Sequence, residues 1–172
     1  LTAAKIELGK KLYFDPRLSS DDTISCATCH DPRAGFAEHK PVSDGVAGGR
    51  GNRNAPTVMN AAFFREQFWD GRAPSLEAQA VGPIINPVEM AMPEHPAVEK
   101  KLAGLAEYPP LFQKAFGDPE VTISRIGKAL ASFERTLVSL DAPIDRFLAG
   151  DATAISGSAK RGWVLYNSKA LC

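Results

Sequence analysis

Cys26-Ala27-Thr28-Cys29-His30 is the stretch on which the reading of this 172-residue chain turns. Two cysteines three positions apart lie on one side of a helical turn. Their thiols can there reach both vinyl groups along one edge of a porphyrin, and the adjoining His30 presents its imidazole to the iron. C-x-x-C-H is for that reason the attachment signature of a c-type haem. A thioredoxin-like redox pair or half of a zinc site would use the same thiols. No βαβ pattern surrounds the motif and no further Cys/His pair follows at finger spacing, so the context favours haem. The third cysteine, Cys172, is the last residue.

Around the motif the sequence reads as loop from Asp15-Pro16 to about Phe68. It carries Ser19-Ser20-Asp21-Asp22, Asp44-Gly45 and the cluster Gly48-Gly49-Arg50-Gly51-Asn52. Gly and Pro number 14 and 13 in the whole chain, more than the roughly 12% of an average protein. Loops of this length make sense around a buried prosthetic group, which supplies apolar surface that the chain there lacks.

Before and after this segment the pattern is helical. Thr2 to Leu12 reads as a short amphipathic helix with Leu1, Lys5, Leu8 and Leu12 on one face. The strongest periodicity is Ile123, Ile126, Leu130, Phe133, Leu137 and Leu140, spaced 3, 4, 3, 4 and 3, with Thr122 as the expected N-cap. Weaker helical readings cover Ser75 to Val81, Pro96 to Leu105, Pro110 to Phe116, Pro143 to Leu148 and Ser156 to Tyr166. No convincing alternating strand is present, so the expected class is all-α: a c-type cytochrome-like helical domain with long loops around a covalently bound haem.

Twenty basic residues balance twenty acidic ones, without a Lys/Arg run. This gives no electrostatic footprint for nucleic acid or an anionic membrane. The longest charge-free stretches, Asn54–Phe64 and Ala78–Val88, fall short of the roughly 18 apolar residues that a membrane helix needs.

The sequence resembles the bacterial di-haem cytochrome c peroxidases and their MauG-like relatives, which oxidise residues of a partner protein. The resemblance runs over essentially the whole chain. It rests on Leu8-Gly9-Lys10-Lys11-Leu12-Tyr13-Phe14-Asp15-Pro16-Arg17-Leu18-Ser19, the haem motif, Arg53-Asn54-Ala55-Pro56-Thr57-Val58 and Gln67-Phe68-Trp69-Asp70-Gly71-Arg72-Ala73. Gln79-Ala80-Val81-Gly82-Pro83, Pro87-Val88-Glu89-Met90 and Asp141-Ala142-Pro143-Ile144-Asp145-Arg146-Phe147-Leu148-Ala149-Gly150 continue it. The resemblance implies an N-terminal domain over residues 1–166 holding the peroxidatic haem. It also implies that Gly162 to Cys172 leads into a second C-x-x-C-H, with Cys172 as its first cysteine and residues 167–172 opening a second c-haem domain absent from this sequence.

Residue by residue, the resemblance makes His30 the axial iron ligand and Cys26 and Cys29 the attachment points. Gln79 and Glu89 become the polar pair on the opposite, peroxide-binding face. Glu89 suits the general acid/base work of moving a proton between the two peroxide oxygens, and Gln79 can hold peroxide or a water with its amide. Trp69 matches an indole between the two haems that can carry a hole; the plainer alternative is a packed core aromatic. Asn54 matches a residue that lends a main-chain oxygen to calcium. Arg53, Asp70 and Arg72 could meet haem propionates or form ordinary surface pairs.

One departure stands out. Regulated members of the family carry a histidine in the loop before Arg-Asn-Ala-Pro that blocks the resting iron. Val46 holds that position here, flanked by Gly45 and Ala47, and none of these can bind iron. The expectation is a permanently open distal side and a largely high-spin ferric haem. His39 could substitute as a ligand, as could Met59, Met90 or Met92, whereas His95 before Pro96 reads as a cap or surface residue.

The expected activity is reduction of hydrogen peroxide to water at the N-terminal haem, with electrons entering through the second haem from a small cytochrome c or a cupredoxin. One alternative is a MauG-like enzyme oxidising Trp or Tyr of a protein substrate. The other is a non-catalytic electron-transfer cytochrome, against which the Gln79–Glu89 pair speaks. Attachment of c-type haem places the protein in the periplasm. A homodimer is the assembly the resemblance admits.

Overall fold

The computed structural model describes residues 1–170. Cys172, the expected first cysteine of a second motif, lies outside them. The chain forms two compact units, Leu1–Val138 and a second beginning at Ser139. Among the described residues there are helices and isolated β-bridges (Asp31–Ala37, Asp44–Arg50, Gln67–Ala73) but no strand.

The first unit is built on α1 (Ala3–Phe14), α3 (Leu76–Ile85) and α6 (Ile123–Glu134), flanked by α4 (His95–Ala103) and α5 (Tyr108–Phe116). α6 is the central element. Thr122 caps it as expected, its hydroxyl accepting from the Arg125 amide at 3.3 Å. Ile126, Ala129, Leu130 and Ala131 are fully buried. A fully buried aliphatic side chain of Leu or Ile size is worth about 1.5–3 kcal/mol. Two glycines set its spacing to its neighbours. A Cβ on Gly9 of α1 would lie 1.9 Å from the Ala129 carbonyl oxygen, and one on Gly127 would lie 2.8 Å from the Glu77 oxygen of α3. Backbones therefore meet directly on both sides of α6.

α6 stops at Glu134, short of Leu137 and Leu140. After Arg135 the Thr136 amide and hydroxyl both turn back onto the Phe133 carbonyl. The Leu137 carbonyl is taken by the Asn60 amide. Side chain-to-backbone competition of this kind ends helices. The apolar repeat continues beyond it because Leu137 still packs on the core from an irregular segment.

The other helices fall close to their expected places, with Ser75 capping α3 and Glu94 preceding α4. α3 contains Pro83, which cannot donate to the Gln79 carbonyl one turn back. α3 closes at Asn86, and the Met90 and Met92 amides fold back onto the Pro83 and Ile84 carbonyls. The second unit holds α7 (Pro143–Leu148) and α8 (Gly157–Asn167), the latter capped by Ser156. No helix in the described residues is long and apolar enough to cross a membrane.

Candidate haem site

The motif forms a single helical turn, α2 (Cys26–Cys29). The Thr28 hydroxyl accepts from the Ser25 amide at 3.0 Å, and the His30 amide donates to the Cys26 carbonyl at 2.9 Å. The short helix is thus closed at both ends by its own residues. Both cysteines are free thiols. Burial, followed by the charges of Glu134 and Cys29, pushes the Cys26 thiol up to about 12; burial also raises Cys29.

His30 is held from two directions. Its Nδ1 lies 2.9 Å from the Pro56 carbonyl oxygen, and its own carbonyl accepts from the Tyr13 hydroxyl at 3.0 Å. A carbonyl can only accept, so this bond puts the ring proton on Nδ1 and leaves the Nε2 lone pair for a metal. Burial lowers the pKa of the imidazole against the raising influence of the Pro56 and Phe36 carbonyls, which favours the neutral form that ligates iron. Two thiols on one turn with an oriented neutral imidazole beside them fit a covalently bound haem. Among the described residues no cluster of three or more His, Cys, Asp or Glu offers a competing metal site.

Glu89 is half-buried in the turn after α3 and accepts from Asn86 Nδ2 at 2.8 Å. Burial raises its pKa; Arg72 and the Asn86 bond pull the other way. It lies within electrostatic reach of Cys29, so the carboxyl and the attachment turn share one region. Gln79 is half-buried on α3. One turn on, at Gly82, an added Cβ would meet the Phe68 ring at 3.7 Å, and the Arg72 guanidinium stacks on that ring 3.5 Å from its centre. Phe68 and Arg72 thus stand beside the C-terminal half of α3, and Arg72 acts electrostatically on Glu89, which Asn86 holds; Gln79 lies one turn before Gly82 on the same helix.

The Val46 loop is docked on the same turn. The Val46 amide donates to the Glu89 carbonyl at 2.9 Å, and a Cβ on Gly45 would stand 2.2 Å from the Val88 oxygen. The loop reaches Glu89 through backbone, with an aliphatic side chain packed against the core. His39 is exposed. Met90 and Met92 are buried core residues at 3% and 6% exposure. His95 is no cap: its Nε2 sits 3.1 Å from the Val81 carbonyl and ties α4 to α3.

Trp69 is 65% exposed, which is incompatible with a packed core aromatic. Its indole N–H donates to the Asn54 main-chain oxygen at 2.8 Å. That oxygen keeps one lone pair, a single donor toward the roughly six to eight that calcium takes. Asp70 is shared between Arg53 and Arg72 at 2.7 and 2.8 Å. These three form a surface ion-pair network around Trp69. Sequence reasoning did not single out the Pro56 carbonyl, Tyr13, Asn86, Phe68 or Glu134. Tyr13 and Phe68 stand inside the motifs that carried the resemblance, while a backbone carbonyl has no signature in sequence.

A helical fold around an attachment turn and an oriented imidazole defines a c-type cytochrome-like protein. Residues 3–153 match the di-haem cytochrome c peroxidase family. The methylamine utilization protein MauG of Methylophilus methylotrophus is 45% identical over 169 residues, covering 98% of this chain and 50% of that protein. The cytochrome c551 peroxidase of Pseudomonas aeruginosa is 47% identical over 160 residues, 91% of this chain and 45% of the other. Among solved structures, a MauG-like protein associated with microbial copper homeostasis superposes with a TM-score of 0.86 at 28% identity, covering 96% of this chain and 49% of that one. The diheme peroxidase BthA of Burkholderia thailandensis gives 0.85 at 26% identity, with 97% and 47% coverage. The chain belongs to the di-haem cytochrome c peroxidase family, and it spans about half the length of the relatives it matches.

Proposed function

We propose that this chain is the peroxide-reducing half of a periplasmic di-haem enzyme, with haem attached through Cys26 and Cys29 and bound by His30. Haem held there would supply an iron able to bind peroxide and to pass on electrons. The chain's residues supply the rest. His30 anchors through Nε2, oriented by the Pro56 carbonyl. Glu89 takes a proton from one peroxide oxygen and returns it to the other. Gln79 orients peroxide or the displaced water. Two electrons and two further protons complete the conversion of hydrogen peroxide to two waters. The electrons come from a small cytochrome c or cupredoxin through a second haem whose attachment motif begins at Cys172. Trp69, exposed and with its indole N–H tied to the Asn54 carbonyl, would serve as an oxidisable relay, and the Asn54 carbonyl would offer one oxygen to a calcium ion.

The observation that carries the reading is the half-buried Glu89, its carboxyl proton favoured by burial, in the same region as Cys29. A group poised closer to neutrality is the effective proton shuttle. In the loaded protein Glu89→Gln slows the single-turnover reaction with peroxide by about 10²–10⁴-fold, as followed by stopped-flow absorbance. Uptake of the peroxide proton needs the ionised carboxyl, so the wild-type rate rises as pH climbs through the raised Glu89 pKa, and the variant loses that limb. An unchanged rate and profile remove Glu89 from the reaction.

A second reading, oxidation of Trp or Tyr in a partner protein, is favoured by Val46. Val46 gives its loop no side chain able to ligate iron, so an iron held by His30 would be open to peroxide without prior reduction. Electron paramagnetic resonance of the oxidised holoprotein then shows a dominant axial high-spin signal. A purely low-spin spectrum that His39→Ala leaves unchanged counts against the open site.

A further inference from the structure

Glu134 is a carboxyl for which the proposed reaction has no use. It is 5% exposed near the end of α6, and its Oε2 is buried without a hydrogen-bond partner. The face of α6 on which it lies is set by Ala131, one turn earlier, which packs with Val58, Ala61 and Leu76 against Phe36. Val58 donates to the Phe36 carbonyl and stands two residues after Pro56, whose oxygen orients His30. Glu134 stands within electrostatic reach of Cys26 and of Tyr13, whose hydroxyl donates to the His30 carbonyl.

The groups facing it come from every neighbouring helix. From α1, Tyr13 feels its charge and has its own ionisation pushed far up by burial. From α2, Cys26 feels Glu134 more strongly than any other charged group. From α3, Glu77 opposes its ionisation but is paired bidentately with Arg135, at 2.6 and 3.0 Å. Among the described residues, the cation acting on Glu134 is Arg135, and it is already engaged with Glu77. Burial thus dominates and holds the Glu134 proton on, with a pKa raised to about 8. In the loaded protein the Cys26 sulfur is a thioether without charge, and Tyr13 stays a neutral phenol. Among the groups named, Glu134 alone can change charge near neutral pH.

We propose that Glu134 is a proton-holding positioning residue behind His30, giving up its proton more readily when the iron that His30 holds is oxidised. The inference rests on haem attachment at Cys26 and Cys29. The reasoning is Coulombic: positive charge gained by iron favours a neighbouring carboxylate, and by linkage a carboxylate favours the ferric state.

The test is potentiometry of the holoprotein across the range around pH 8, after its intact mass has shown the attached haem. In wild type the midpoint potential falls as pH rises through this range. In Glu134→Gln, which keeps the shape and cannot ionise, the potential stays level there. Infrared titration of the wild type supplies a readout independent of any variant: a protonated-carboxyl band present at neutral pH is lost as pH rises past 8. A loaded Glu134→Gln protein with the wild-type slope, or a wild type without that band, overturns the inference alone. A mass without haem overturns the attachment reading and the inference with it. A variant that fails to load leaves the infrared titration to decide.

Discussion

Helices α1, α3 and α6 order one another, whereas the segment from Ser19 to Ser75 is ordered by scattered single contacts. In the helices, glycines let backbones touch and Ile126, Leu130 and Leu12 are fully buried. The loop segment buries only Ser19, Ile24, Ser25, Val58, Ala61, Gln67 and Ala73. Of the six non-glycine residues with positive φ among those described, Asp22, Phe36, Ala47, Asn60 and Phe68 fall within it. Such conformations cost of order 1–3 kcal/mol each and persist where surroundings over-determine them. The scaffold therefore stands on its own packing, and the loops depend on what they enclose.

The comparison is broken most directly by removing both thiols. Cys26→Ser with Cys29→Ser abolishes covalent haem, read as a bare peptide mass. Limited proteolysis then cuts within residues 19–75 while the helical circular dichroism survives. Loss of both together means that the scaffold is not independent. In the opposite direction, Gly9→Ala drives a Cβ to 1.9 Å from the Ala129 oxygen. It should lower stability by about 3 kcal/mol, the upper end for overpacking, measured as a shifted denaturant midpoint of the whole unit.

Asp15 joins the two regions. It caps the turn into the loop segment, pairs with Arg17 and accepts from the Tyr108 hydroxyl of α5. Burial raises its pKa, but the Arg17 and Tyr108 bonds outweigh this and lower it to about 2. A depressed carboxylate contributes stability that is present above its unfolded pKa and lost as pH falls from about 4 toward 2. Asp15→Asn costs about 2 kcal/mol at neutral pH for charge-assisted bonds and flattens that acid limb in pH-dependent unfolding. The smallest change is Thr122→Ala, about 1 kcal/mol for a lost N-cap. It is expected in the unfolding free energy with no effect on haem loading.

Legibility in the sequence followed the same division. The helices announced themselves by period, and Thr122 by its capping chemistry. The over-long reading of α6 failed because Leu137 keeps the apolar spacing while the Thr136 hydroxyl and the Asn60 amide take the carbonyls a helix would need. In the site, Cys26, Cys29 and His30 were readable because their spacing is local. Gln79 and Glu89 were expected only through resemblance, and the place of Glu89 depends on a turn set by Pro83 and by backbone returns from Met90 and Met92 that no local pattern announces. The docking of Val46 on Glu89 was hidden in Gly45, whose need for a missing Cβ appears only once the Val88 carbonyl stands beside it.

The pairing of α1 with α6 also bears on when the attachment turn becomes enclosed. The two helices that close the core are about 120 residues apart in sequence, and contacts of such range form late, after the loop-closure entropy has been met. As the chain emerges from its N-terminus, Cys26 and Cys29 are in the open long before Glu134 arrives. Until α6 docks, the Glu134 charge that acts on Cys26 and the α6 share of the core beneath it are missing. Modification of those thiols thus has a natural window, bounded at one end by the emergence of His30 and at the other by the seating of Gly9 on Ala129.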